Sequence, residues 1–144
     1  MIGKGKGCNI IRSFPFYFDM TGTLKPWLSF SQFEKELWKI AEEELAELKI
    51  NLKNLSKPEK NKKVIIVIAL YIDLLFWSHG KRVNRLGVDL YNDIEQLLYK
   101  PYNCGERLKF IIEHVHHFQA VVQLEHLFEE QRKKIAKMKL IEKK

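Results

Sequence analysis

The segment Val64–Trp77 constrains this chain more than any other. Its order, Val-Ile-Ile-Val-Ile-Ala-Leu-Tyr-Ile-Asp-Leu-Leu-Phe-Trp, is apolar on every side apart from Asp73. A helix that crosses a bilayer takes about 20 apolar residues, so this run is too short. Its β-branched half would suit a buried strand, but the sequence holds no second segment of that kind, and a lone strand has nothing to pair with. What remains is an all-round apolar helix, which must be enclosed by others. At 144 residues and 46% hydrophobic content, the chain is long enough to bury one core. The expected fold class is all-α, a compact bundle of about five helices.

Capping and periodicity set the boundaries. Ser29 with Gln32 makes a capping-box pair, and Leu28 with Phe33 a hydrophobic staple. Phe30, Phe33, Leu37, Ile40, Ala41, Leu45 and Leu48 then recur at helical spacing. The opposite face carries Glu42, Glu43, Glu44 and Glu47, read as solvated, and Asn51 and Asn54 mark a loop. Ser56 opens the central helix, with Pro58 in the first turn and Glu59 at the capping-box position, and Gly80 stops it. Lys81–Gly87 is a basic loop. The next helix runs from the cap Asp89 through Leu90, Ile94, Leu97 and Leu98, and ends before Pro101. Asn103 with Glu106 opens another, whose core face is Leu108, Ile111, Ile112 and Val115. From Phe118 the apolar stripe changes phase: Leu124, Leu127, Phe128 and Ile135 fall nearly opposite the earlier stripe. One straight helix cannot bury both, which predicts a bend at His114–Phe118 and a last helix to about Lys139.

Ahead of the first helix, Phe14, Phe16, Tyr17, Phe18 and Trp27 are too many aromatics for a free tail. This aromatic-rich N-terminal segment is expected to lie extended across the bundle from Phe14 onward, after a mobile Gly-Lys stretch. The domain reading is a flexible N-terminus over residues 1–13, a single helical domain over 14–140 and a basic tail end over 141–144. Cys8 and Cys104 form no CxxC, which argues against a disulfide scaffold or a thiolate zinc site. No apolar export segment follows the basic N-terminal residues. The expected location is the cytoplasm.

Lys100-Pro101-Tyr102-Asn103-Cys104-Gly105-Glu106-Arg107-Leu108-Lys109-Phe110-Ile111, followed by Gln123-Leu124 and Leu127-Phe128, resembles the C-terminal signature of the YpoC-like family. The Leu75-Phe76-Trp77-Ser78-His79-Gly80 turn is similar too. The likeness covers roughly residues 70–130 and rests on an unusual KPxNxxERLxFI spacing. It implies a small helical protein of the bacterial cytoplasm and no particular chemistry.

The residues themselves offer little catalysis. There is no second acid beside Asp73, no nucleophile elbow, and Gly3–Gly7 lacks the spacing and the preceding strand of a phosphate loop. Asp73 interrupts an apolar helix where a bare carboxylate is costly, so either it faces an exposed groove or it has a partner such as Arg107 or the Arg82/Arg85 loop; the expected role is a structural polar residue rather than a catalytic carboxylate. Asn103 and Glu106 are structural polar residues as well, through the capping box. His114, His116 and His117 cluster beside Glu113, with His126 further on. A metal site would need ligands from another helix, such as Asp73, Asp93 or Glu95. The preferred reading is a helix end whose histidines complement the dipole, with no metal and no cofactor. Net charge is +7, and Arg132, Lys133, Lys134, Lys137, Lys139, Lys143 and Lys144 face only Glu142. Candidate contacts for a partner are Trp77, Arg82, Arg85, Arg107, Lys133, Lys134 and Lys137. The function expected is a non-enzymatic interaction or adaptor protein with a protein partner. The first alternative is a nucleic-acid accessory protein using the basic C-terminus. A metal-dependent helical-bundle enzyme is the second.

Overall fold

The computed structural model describes residues 9–142. The Gly-Lys stretch expected to be mobile and the last residues of the basic tail end lie outside the described residues. Among the described residues there are six α-helices and no strand. They are α1 (Tyr17–Thr21), α2 (Phe30–Asn51), α3 (Lys57–Trp77), α4 (Val88–Glu95), α5 (Cys104–Glu113) and α6 (Phe118–Glu142). Short 3-10 turns stand at Ile10–Arg12, Pro26–Leu28 and Leu52–Asn54. The fold is all-α.

The central helix α3 is enclosed, as its apolar circumference requires. Tyr71, Leu74, Leu75 and Trp77 are fully buried, and of the run from Val64 only Ile65 is substantially exposed, at 47%. Helices α2 and α6 both pack on α3 and on each other, while α4 pairs with α5, which leans on α6. An aromatic column joins the three long helices: Phe128 meets Tyr71 edge-on at 5.2 Å and Trp38 at 6.2 Å. Aromatic pairs of this kind contribute roughly 0.5–1.5 kcal/mol beyond burial.

Local signals decide the ends of α3. Ser56 Oγ accepts from the Glu59 N–H at 3.4 Å. At the other end Gly80 sits at φ 71°, its N–H donates to the Trp77 carbonyl at 2.9 Å, and the Lys81 N–H to the Phe76 carbonyl at 3.0 Å. That doubled closure needs a left-handed residue, which glycine adopts at no steric cost. The phase change near His114 is also real: α5 ends at Glu113 and α6 starts at Phe118, burying Leu124, Leu127, Phe128 and Ile135.

Several boundaries differ from the sequence reading. Ser29 precedes α2 but makes no side-chain cap, and Leu28 is 71% exposed, so no staple forms. The Pro26–Leu28 turn delivers the chain into α2 instead. Asp89 lies in the first turn of α4; the cap position belongs to Gly87, and the helix stops at Glu95 with Leu98 left exposed. Asn103 does precede α5, but in the left-handed region at φ 54° and with no side-chain cap bond, and Glu106 points to solvent. Ile112 is partly exposed rather than core. The acidic face of α2 is compensated rather than merely solvated: Glu42 pairs with Arg132, Glu43 and Glu44 with Arg12, and Glu47 with Lys63.

The aromatic-rich segment lies across the bundle, folded in short helical turns rather than continuously extended. Residues 9–28 form a strap that buries Ile11, Phe18 and Trp27, and its first turns pack on α3. Residues 9–13, read from sequence as part of the flexible end, belong to this strap, with Arg12 tied to α2. Phe16, Leu24 and Lys25 all take positive φ, a conformation costing about 1–3 kcal/mol each and kept only where the surroundings impose it.

Candidate functional site

The most unusual chemistry lies where the strap crosses α3. Asp73, in the middle of that helix, is 1% exposed, and α1 brings Asp19, 3% exposed, against it. The two carboxyl groups are close enough for Asp19 to act directly on Asp73. One turn beyond Asp73, Trp77 Nε1 donates to Asp19 Oδ1 at 3.0 Å, and the Val83 N–H donates to the same oxygen at 2.8 Å. Asp19 Oδ2 and Asp73 Oδ1 are buried without a conventional donor. Burial pushes the Asp73 carboxyl well above the ordinary range, and the neighbouring Asp19 raises it further. A protonated Asp73 satisfies this geometry.

The expected basic partners of Asp73 are all engaged elsewhere. Arg82 Nε donates to the Asp19 backbone carbonyl at 2.5 Å, and its guanidinium lies over Trp27 at 5.3 Å. Arg85 is exposed and clamps Asp93, with Asp89 nearby. Arg107 forms a two-pronged bond to Glu130 and also reaches the Tyr102 carbonyl. Trp77, a candidate contact by sequence, is fully buried and serves as a donor inside the core. Sequence reasoning missed Asp19. The signal was present: it is the only acid before Glu34, and it sits directly behind an aromatic run.

Beside this pair, the 81–86 loop separates two open clefts. One, of about 410 Å³, is lined by Phe16, Asp19, Met20, Arg82, Arg85 and Leu86 among others. The second, about 460 Å³, lies between Phe76, Lys81, Arg85, Asp93 and Gln96. Both are shallow, and Arg82 and Arg85, which line both, already hold partners on one side.

Cations of the last helix divide into two sets. Arg132 bonds Glu42 at 2.6 Å and lies over Trp38 at 4.9 Å, and Lys139 bonds Glu34. Lys133 and Lys137 are exposed and Lys134 half-buried. Among the described residues none of these three forms a salt bridge with an acid.

The histidines gather at the α5–α6 break. His114 stacks on Phe110 with centroids 4.2 Å apart, and His116 and His117 lie 4.2 Å from each other. Among the described residues no three His, Cys, Asp or Glu side chains converge as metal ligands. Asp73, Asp93 and Glu95 are not brought to the cluster. Desolvation, and after it repulsion from His117, Lys57, His114 and Lys60, lowers the His116 pKa. No helix among the described residues is long and apolar enough to cross a membrane.

An enclosed apolar helix wrapped by two long amphipathic ones, a short helical pair and an N-terminal strap defines a small all-helical bundle protein. More particularly, the chain belongs to the YpoC-like family, whose match runs over residues 30–143, from α2 to the end of α6. The strap and Asp19 precede that stretch, whereas Asp73 falls inside it. Comparison with curated proteins gives no match, and comparison with solved structures gives none either.

Proposed function

We propose that this chain is a non-enzymatic interaction protein of the bacterial cytoplasm that docks a protein partner at the α5–α6 break. The observation that carries the reading is the exposed aromatic corner there. Phe110, stacked on His114, is 43% exposed, and Phe118 at the start of α6 is 54% exposed. Exposed aromatics grouped at one place are the usual anchors of a protein interface. His114, His116 and His117 share the corner with Lys57 and Lys60, so an apolar segment flanked by acidic residues is the complementary partner.

The test is affinity capture from the native cell, with and without nuclease, using the wild type and a Phe110→Ser, Phe118→Ser double variant. A protein retained by the wild type after nuclease and lost by the double variant is the expected result. Retention that depends on nucleic acid, or that ignores both substitutions, would overturn it. A nucleic-acid accessory role is the second reading, and it rests on Lys133, Lys134 and Lys137, which have no acidic partner among the described residues.

A further inference from the structure

We propose that the N-terminal strap is a proton-operated latch: Asp19 and Asp73 share one proton, and its loss to solvent base releases residues 9–28 while the helices stay folded. Both carboxyls are enclosed, and one oxygen of each, Asp19 Oδ2 and Asp73 Oδ1, is buried with no hydrogen-bond partner. A single hydrogen held between the two carboxyls satisfies both oxygens, which two carboxylates cannot do for each other. The donors from α3 and the following loop, Trp77 Nε1 and the Val83 N–H, are both spent on Asp19 Oδ1. The charged group nearest in the loop, Arg82, is bonded to the Asp19 backbone carbonyl rather than to either carboxylate. From the strap, the titratable group acting on Asp73 is Asp19 itself. Removing the shared proton thus places two like charges in contact, away from water and without a counter-ion.

The strap is the side that yields. Asp73 is fixed in the middle of α3, which is walled by α2 and α6. Asp19 stands on α1, a helix of five residues. Around it Phe16, Leu24 and Lys25 hold left-handed backbone angles, which relax once the tertiary contacts that impose them are gone. Releasing the strap lets Asp19 reach water and leaves α3 with one solvated charge.

Hydrogen exchange, corrected for the intrinsic effect of pH, tests this on the full chain between about pH 6 and about pH 10. In the wild type, protection across 9–28 is expected to fall by up to about tenfold per pH unit as pH rises toward the dyad's midpoint and to level off above it, with α6 around Leu124–Phe128 unchanged. Asp73→Asn keeps a donor to Asp19 and carries no titrating proton, so its strap protection is expected to stay flat. A flat wild-type profile, parallel loss in Asp73→Asn, or strap and α6 opening together would overturn the latch. If the variant fails to fold, carboxyl-carbon NMR of the unmodified protein decides. One aspartate of the pair titrating far above its neighbours supports the proposal; both titrating near the ordinary value of about 3.9 defeats it.

Discussion

Asn103 shows how a residue can stand at the expected position for a different reason. It occupies φ 54° and ψ 34° before α5 and makes no side-chain cap, so its value is tolerance of the left-handed region. Asn103→Ala is expected to cost about 1 kcal/mol through backbone strain, while Asn103→Gly should cost nothing or stabilise slightly. Equal losses in both variants under urea denaturation would restore the capping role. His79 gives the pH dependence at this scale. Its Nδ1 bonds the Leu75 carbonyl at 2.7 Å, so Nε2 is free to accept the Tyr99 N–H at 3.0 Å. The Tyr99 contact requires the neutral ring, whereas Nδ1 can donate to Leu75 in either state, and burial is the main cause of the lowered pKa. The folded value therefore lies below that of the unfolded chain. Stability from this group is fully present above about pH 6.5 and is lost as pH falls toward the folded value. Wild type should lose more stability than His79→Gln between about pH 7.5 and about pH 5.5; equal losses would remove His79 as the cause. Asp73 has the opposite sign: with its folded value raised, stability declines as pH rises from the ordinary carboxyl range toward that value.

The elements were legible in the sequence where one physical cause dominated. An apolar circumference admits only an enclosed helix, and α3 is that. A stripe that changes phase forces a break, and it falls between Glu113 and Phe118. Gly80 stops α3 as its position suggested. Caps were harder, because Ser29 and Asn103 are typical cap residues whose conformation is set by the chain entering from the strap or from Pro101. The site was least legible. A lone acid in an apolar helix suggests a base as partner, yet Asp73 meets another acid from a segment far away in sequence, and Trp77 turned inward to support it. Residue patterns carry no direct sign of such a tertiary pairing. The aromatic column offers a test of how α2, α3 and α6 cohere. Phe128→Ala should cost about 3–5 kcal/mol, and Phe128→Leu much less, measured by urea denaturation with unchanged m-value. A loss under about 1 kcal/mol for the alanine variant would mean the helices close over the gap.

Across the whole molecule, positive charge is matched more closely than the composition implies. Lys139 and Arg132 reach Glu34 and Glu42 on α2, and Lys49 on α2 reaches Glu125 on α6 at 2.8 Å. Each such exposed pair contributes about 0–1 kcal/mol. Lys49→Glu and Glu125→Lys should each destabilise slightly and the double reversal should recover most of the loss; additive losses would show that the pair is not coupled. Gln at Lys133, Lys134 and Lys137 separates the two functional readings. If those lysines hold nucleic acid, wild-type affinity falls steeply between about 50 and about 200 mM salt and the triple variant has a flatter slope. No shift of any nucleic acid by the wild type at low salt would end that alternative. The buried thiol at the joint of α3 and α5 has one more consequence. Cys104 is enclosed at the first position of α5, its Sγ 3.3 Å from the Tyr71 hydroxyl, and burial pushes its pKa up. With Cys8 replaced by Ser, a maleimide can react only during the moments when α5 lifts from α3. The chain therefore carries a stopwatch for its own breathing, read as the rate at which the free thiol is lost.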